Sequence, residues 1–215
     1  DSLKTVYFAS FLGYATHGLL DACTSYGTQL FWPFSNERIS WNNISIVDPL
    51  FTIPILIFLI IAVKTKKKTF SFFGIGWIIF YLNLGYFQYE RALSAAIELA
   101  TMRGHNADRL TLKPSFGNLI LWKSIYQHKE TFYVDAIRTV QSSTWCSGDT
   151  IRVFDYKYHL PDLDKESQQK KDIERFRWFS QDYLGYYKEK NVVADVRYSM
   201  IPNQIVPMWG LTIDE

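Results

Sequence analysis

The stretch that decides the fold is residues 49–89, which read PLFTIPILIFLIIAV, then KTKKK, then TFSFFGIGWIIFYLNLGYFQY. The first and third segments are uncharged and strongly apolar, as expected of helices that cross the hydrocarbon core of a bilayer. The middle segment carries four lysines, and short basic loops between membrane helices stay on the cytoplasmic side. The stretch therefore predicts membrane helices at residues 48–63 and 69–89, joined by a cytoplasmic loop.

A third apolar segment precedes this stretch. Residues 5–22, TVYFASFLGYATHGLLDA, are just long enough to span a bilayer, and their small residues would let other helices approach closely. The connection at residues 24–47 mixes aromatic side chains with charged and amide side chains, which is typical of a chain lying along a membrane interface. We therefore predict a membrane region over residues 1–90, with three transmembrane helices and an interfacial loop at residues 24–47.

Residues 91–215 have the composition of a soluble domain, because only 11 of the 23 basic and 21 acidic residues lie before them. The third helix is expected to continue as an amphipathic helix that ends at Gly104. Short runs rich in β-branched and aromatic residues then predict strands, at Arg109–Lys113, Leu119–Tyr126, Thr131–Val140, Thr150–Tyr158 and Val192–Met200. A charged segment, Pro161–Lys190, is predicted to be helical, with an apolar stripe through Ile173, Phe176, Phe179 and Tyr183.

The predicted fold class is thus an α-helical transmembrane region, residues 1–90, followed by a soluble α+β domain, residues 91–215, with a mostly antiparallel sheet. With the lysine loop inside and one spanning helix after it, the carboxyl-terminal domain is expected to be extracytoplasmic. The two cysteines, Cys23 and Cys146, are interpreted as free thiols, since no paired metal-binding spacing is present.

Composition and motifs exclude several function classes. The near-neutral charge balance gives no electrostatic basis for binding nucleic acid. The sequence contains no GxSxG elbow, Walker loop, GxGxxG turn or HExxH helix, so the commonest signals for serine hydrolases, nucleotide-binding proteins and zinc proteases are missing.

One pair of residues does indicate chemistry. His17 and Asp21 lie four residues apart at the end of the first apolar segment, so on a helix both project from one face. Imidazole and carboxylate are ligands that zinc or manganese takes. The pair could instead form a polar helix end, a hydrogen bond between the two residues, or a histidine satisfied inside a bundle.

Asp48 is the third candidate ligand. The predicted topology brings the start of the second membrane helix to the same side of the membrane as His17 and Asp21. Asp48 followed by Pro49 is also a preferred start for a helix, with the aspartate as the N-cap. From the sequence, an N-cap role and a metal-ligand role for Asp48 are equal alternatives.

Several motifs together resemble a known family. In the first half they are Thr16–Asp21, Thr24–Thr28, Trp32–Ser35 and Ile46–Pro49, and in the second half Pro114–Lys123, Asp195–Tyr198, Pro202–Asn203 and Pro207–Gly210. This combination resembles the bacterial membrane-bound metal-dependent hydrolases, the YdjM-like inner-membrane proteins. The family pattern usually has a further membrane segment upstream with a basic-threonine-histidine element. We therefore expect the sequence to lack its native amino terminus, and with it part of the ligand set.

The resemblance implies an inner-membrane hydrolase that uses a divalent metal ion, zinc or manganese, held in part by His17, Asp21 and Asp48. A metal-bound water of lowered pKa could then attack an ester or phosphoester, such as a lipid, at the bilayer surface. The alternative is a non-catalytic membrane protein whose outer domain binds a partner or senses envelope stress. Aromatic side chains of that domain could line a groove or form its core, namely Trp122, Trp145, Trp178 and Trp209.

Overall fold

A computed structural model describes residues 2–164 and 166–213 of the chain. The chain divides into two compact units. The first comprises the chain up to Arg91 together with Lys113–Ile120, and the second comprises Ala92–Leu112 together with the chain from Leu121 onward. The boundary between the two units at residues 91 and 92 falls inside a continuous helix. The short segment 113–120 belongs to the first unit again.

Three helices make up most of the first unit: α1 (Leu3–Ala22), α2 (Pro49–Thr65) and α3 (Lys68–Met102). The hydroxyl of Ser2 caps α1 by accepting from the backbone N–H of Thr5. Only Lys66 and Lys67 separate α2 from α3, so the lysine-rich segment is a tight connection. Helix α3 ends just before Gly104, which has a φ of +69°, a conformation that glycine adopts without strain. The predicted continuation of the third helix is confirmed.

The helices differ in how well they suit a bilayer. Within residues 2–164 and 166–213, α3 is long and apolar enough to cross a membrane, and α2 is a shorter apolar helix of 17 residues. Helix α1 is long enough, with 20 residues, but its composition is less apolar than that of α3. Its apolar side chains are nevertheless exposed along its length, and the spanning role predicted for residues 5–22 stays a prediction.

The first unit has its own small core. Five buried residues pack together, namely Cys23, Ile44, Phe51, Tyr81 and Leu119. Gly85 of α3 lies so close to the loop that a Cβ atom there would clash with the carbonyl oxygen of Asn43. The segment after α1 is therefore packed tightly against α3 at this point.

A four-stranded sheet in the order β1–β2–β3–β4 dominates the second unit. Its strands are β1 (Asp108–Pro114), β2 (Leu121–His128), β3 (Thr131–Thr139) and β4 (Ser143–Arg152). β2 and β3 pair antiparallel, as do β3 and β4. Ile125, Phe132 and Val134 are fully buried and belong to one core cluster on one face of the sheet. Trp122 is buried on the opposite face, since side chains three residues apart on a strand point to opposite sides.

The rest of the second unit forms a smaller sheet and two helices. The elements are α4 (Tyr156–His159), α5 (Gln168–Phe179), β5 (Leu184–Tyr187), β6 (Val192–Asp195) and β7 (Gly210–Thr212), and the sheet order β5–β6–β7 is antiparallel. Phe154, Ile173 and Leu184 belong to one buried cluster. The predicted class, N-terminal helices followed by antiparallel sheets with short helices, is confirmed.

Two predicted strands had the wrong limits. Residues 150–158 do not form one strand: β4 ends at Arg152 and Tyr156 opens a helical turn, because the carboxylate of Asp155 accepts from the backbone N–H of Tyr158. Residues 192–200 are extended only as far as Asp195. The chain turns there, since the Asp195 carboxylate accepts from the backbone N–H of Arg197 at 3.1 Å.

The predicted helix at Pro161–Lys190 was too long at both ends, and Lys165 within it lies outside the described residues. Helix α5 begins after Ser167, whose hydroxyl accepts from the backbone N–H of Lys170. It ends at Phe179, because Gln181 and Asp182 have positive φ angles of 51° and 61°. The chain then re-enters a sheet as β5, where tertiary pairing with β6 decides its conformation.

Candidate functional site

His17 and Asp21 lie in the last turns of α1, both exposed. Their spacing on a continuous helix places them on one face, as the sequence predicted. The carboxylate of Asp21 accepts a hydrogen bond from the hydroxyl of Thr28, in the segment that follows α1. Asp21 therefore orients that segment, while the His17 ring stays accessible.

Asp48 occupies a different environment from the other two candidates. It is 4% exposed, and its Oδ1 atom accepts from the backbone N–H groups of Leu50 and Phe51 at 3.1 and 3.2 Å. The hydroxyl of Tyr81 on α3 donates to the same carboxylate. Asp48 is thus the N-cap of α2, with Pro49 at the first helical position, and of the two alternatives the cap is the one observed.

The three candidate ligands do not make a complete metal centre. Within residues 2–164 and 166–213, no group of three or more His, Cys, Asp or Glu side chains could hold a metal ion. His17 and Asp21 supply two suitable donors, whereas Asp48 is buried and already accepts three donors. The residues present fit only part of a divalent-metal site, so we derive no hydrolytic step from them, and the full ligand set stays a prediction.

Lys113 is a buried lysine of the first unit, and its burial was not predicted from the sequence. Its Nζ atom donates to the backbone carbonyl oxygen of Ser25 at 2.7 Å and to Oδ1 of Asn42 at 2.9 Å. These contacts hold both ends of the loop between α1 and α2. The sequence placed Lys113 at the end of the predicted strand Arg109–Lys113, but nothing in it indicated that the amine is buried.

In the second unit, half-buried Arg103 and buried Asp135 form an ion pair. The Arg103 guanidinium donates to Oδ2 and Oδ1 of Asp135 at 2.7 and 2.8 Å, and Asp135 is 1% exposed. The hydrogen bonds to Asp135 raise the pKa of the Arg103 guanidinium. Planar, two-point pairing of this kind fixes geometry as well as charge, so the pair positions the end of α3 against β3.

Two histidines lie beside this ion pair. The rings of His105 and His128 stack with their centroids 4.4 Å apart, and Nδ1 of His105 lies 2.9 Å from the hydroxyl of Tyr126. Desolvation and, next, the charge of His128 lower the pKa of His105. Both rings are half-buried.

The four tryptophans proposed as a groove or a core take separate roles. Trp122 is fully buried and belongs to the core, whereas Trp178 is 51% exposed. Trp145 is half-buried on β4, and Trp209 packs on the ring of Tyr198 with centroids 4.7 Å apart. For Trp122 the core alternative is the one observed.

Among the described residues, these features define an α-helical region with one helix long and apolar enough to cross a membrane, and an antiparallel α+β unit. Residues 2–92 match the model of the YdjM inner membrane protein family. No curated protein matches the chain, and no solved structure matches it. The matched region contains α1, α2 and most of α3, so the resemblance inferred from the first-half motifs is confirmed and membrane association follows from it. The resemblance inferred for residues beyond 92 stays a prediction.

Proposed function

We propose that this chain is a multi-pass protein of the inner membrane that presents its α+β domain outside the cytoplasm. The observation that carries this proposal is the pair α2 and α3, two apolar helices joined by a tight lysine-rich connection. Four lysines in a short loop favour its retention in the cytoplasm. Reporter fusions on both sides of α3 test this orientation.

The lengths of the two helices support crossing. At 1.5 Å per residue, the 17 residues of α2 cover about 26 Å and the 35 residues of α3 about 53 Å. The hydrocarbon core is about 30 Å thick. Helix α2 therefore matches the core closely, and α3 crosses it and continues into the charged segment after Tyr89.

For the activity, we propose divalent-metal-dependent hydrolysis of an ester or phosphoester at the membrane surface, with zinc or manganese held in part by His17 and Asp21. Support comes from the family resemblance and from the placement of an accessible imidazole and a carboxylate on one helix face. Ionisable groups within apolar segments are costly and are usually retained for function.

Metal analysis of detergent-purified protein tests this activity. Wild-type protein should contain an ion in stoichiometric amount, and His17→Ala should lose it without a change in unfolding temperature, since the ring is exposed. Lys4→Ala, a change at another exposed position of α1, is the matched control. A metal content that is the same in wild type and His17→Ala contradicts the proposal.

A second function is favoured by a surface cavity in the α+β unit. The cavity has a volume of about 420 Å³, and its lining includes Lys129, Arg152 and Lys157 together with Glu130 and Asp155. A concave surface with several charged groups is suited to a small polar ligand. In this alternative the membrane helices anchor a non-catalytic binding domain, and the purified protein contains no ion that depends on His17.

A further inference from the structure

The segment between β6 and β7 differs in composition from the rest of the α+β unit. Residues 198–213 contain no Asp, Glu, Lys, Arg or His, although most charged residues of the chain lie beyond residue 90. We name residues 198–209 the apolar loop, because its exposed side chains are all apolar: Met200 is 82% exposed, and Ile201, Val206 and Met208 are between 43% and 51% exposed. An exposed apolar surface of this kind is typical of a site that contacts a membrane or another protein.

The apolar loop is held in a fixed conformation. From β2, Nζ of Lys123 donates to Oγ of Ser199 at 2.8 Å and to the backbone carbonyl oxygen of Gln204 at 2.6 Å. From β4, the backbone N–H of Asp149 donates to the carbonyl oxygen of Asn203 at 3.0 Å. The exposed apolar side chains therefore project from a preformed backbone, and burying them costs little conformational entropy.

Polar backbone groups of the apolar loop are paired within the protein. The carbonyl oxygen of Ile201 accepts from the hydroxyl of Ser199 at 2.7 Å and from the backbone N–H of Gln204 at 3.1 Å. The backbone N–H of Ile205 donates to Oδ2 of Asp149 at 3.1 Å. Unpaired backbone groups are costly in lipid, so this pairing suits the loop to apolar surroundings.

The bilayer is an apolar phase within reach of this loop. The uncharged segment of α3 ends at Tyr89, and the α+β unit begins at Ala92. In the first unit, the side-chain amide of Gln88 donates to the carbonyl oxygen of Leu119 at 3.2 Å. Lys123 follows Leu119 by four residues, and four residues span at most about 14 Å. Chain length therefore keeps the residue that anchors the apolar loop close to the end of the uncharged helix.

We propose that the apolar loop inserts into the head-group region of the bilayer that α3 crosses, where Met200, Ile201 and Met208 contact acyl chains. The inference rests on the proposed membrane crossing of α3, and it is independent of the metal-dependent activity. Interfacial segments bury their apolar side chains about 5–10 Å into the boundary between head groups and acyl chains. Because the loop is uncharged, insertion depends on apolar burial, and neither anionic lipid nor low ionic strength is required.

Quenching of a fluorescent label by nitroxide lipids tests this contact in the whole chain. Met200→Cys is labelled with nitrobenzoxadiazole in a background that carries Cys23→Ala and Cys146→Ser. The protein is placed as single copies in phosphatidylcholine nanodiscs whose lipids carry a nitroxide near the head-group end of the acyl chain. Emission should fall at least about twofold relative to nanodiscs without nitroxide, since the quencher lies at the depth of an interfacial segment. Raising the salt from about 0.1 M to about 1 M should leave the quenching unchanged.

Two further labels separate this inference from the crossing of α3. Arg175→Cys, at an exposed position of α5 in the same unit, is the matched control and should keep its emission. Ile79→Cys, at a position of α3 that is 58% exposed, should be quenched by a nitroxide deep in the acyl chain. If Ile79→Cys is quenched and Met200→Cys is not, the loop inference is overturned and the crossing stands. If Ile79→Cys is not quenched, the proposed crossing fails and the loop inference fails with it.

A charge placed in the loop gives an independent check. With the label moved to Met208→Cys, Met200→Glu should reduce the quenching to the level of Arg175→Cys, because a carboxylate is costly to bring into the interface. Met200→Leu should keep the quenching, and both variants should keep the unfolding temperature, since Met200 is exposed. Equal quenching in the two variants overturns the proposal. Blue-shifted emission of Met200→Cys without quenching by lipid also overturns it, because protein would then cover the loop.

Discussion

The hydroxyl of Tyr81 on α3 donates to the carboxylate of Asp48, lying 3.0 Å from Oδ1 and 2.9 Å from Oδ2. The same carboxylate caps the first turn of α2 through Leu50 and Phe51. One buried side chain therefore starts one apolar helix and ties it to the next. These hydrogen bonds satisfy the buried carboxylate of Asp48.

Replacement of Asp48 separates its structural role from a ligand role. Asp48→Ala should destabilise the protein by roughly 2–4 kcal/mol, because it removes an N-cap and leaves the buried Tyr81 hydroxyl unpaired. Asp48→Asn should cost less than about 1 kcal/mol, since asparagine caps helices about as well and still accepts a hydrogen bond. Thermal unfolding in detergent measures both.

The asparagine variant also reports on metal binding. If Asp48 is a ligand, Asp48→Asn lowers the metal content while the unfolding temperature stays close to that of the wild type. If the residue is only a cap, metal content is unchanged, and Asp48 leaves the proposed ligand set.

Membrane orientation is the second prediction. Alkaline phosphatase fused after Glu215 should be active and green fluorescent protein fused there should be dark, because one spanning helix follows the cytoplasmic lysine loop. The same reporters inserted at Lys66 should give the opposite result. A fluorescent carboxyl-terminal fusion would place the α+β domain in the cytoplasm and reject the orientation.

The third prediction compares an ion pair whose carboxylate is buried with an exposed ion pair. Asp135→Ala should destabilise the α+β unit by roughly 1.5–3 kcal/mol, because it removes the carboxylate to which Arg103 and the backbone N–H of Gly148 donate. Glu130 pairs with Arg152, and its side chain is 76% exposed, so Glu130→Ala should cost at most about 1 kcal/mol. If Asp135→Ala and Glu130→Ala lose the same free energy of unfolding, burial of Asp135 does not strengthen its ion pair with Arg103.

The fourth prediction concerns Lys123 and pH. Its pKa is about 7 in the folded protein against 10.5 for an unperturbed lysine, so between these values the unfolded chain binds more protons. By linkage, the Lys123 contribution to the free energy of unfolding rises as pH increases through that window, and is lost below about pH 7. Hydrogen exchange of the β2 amides from pH 6 to pH 10 measures this change in the free energy of unfolding.

Lys123→Met supplies the matched comparison for this effect. Lys123→Met should raise the hydrogen-exchange protection of β2 above that of the wild type, and the increase should be larger at pH 6 than at pH 10. The reason is that only the wild type must hold a buried charge at low pH. A difference between the two proteins that is constant across this range would show that Lys123 remains protonated in the folded state.

The strongest local signals in the sequence led to correct predictions. The apolar runs around the four lysines predicted α2 and α3, and Gly104 predicted the end of α3. Asp48 before Pro49 predicted a helix start, since capping depends on residues adjacent in the chain. The strand at residues 131–140 was predicted within one residue of β3, because β-branched and aromatic residues bounded by turn residues give a clear strand signal.

Local signals failed where distant residues decide the structure. The polar run at Ser143–Asp149 forms part of β4 because β3 offers it a pairing edge, and the predicted helix through Leu184–Tyr187 becomes β5 because β6 pairs with it. Strand pairing joins residues far apart in the chain, so propensity alone cannot predict it.

By itself, the sequence determined the apolar helices, their caps, the lysine loop and the α+β class, because each depends on the spacing of neighbouring residues. Only the tertiary structure decided that Asp48 contacts Tyr81, that Arg103 pairs with Asp135 and that Lys123 meets Ser199. The partners in these contacts are 32 to 76 residues apart. A side chain's protonation and reactivity depend on burial and on such partners, and the folded chain alone brings them together.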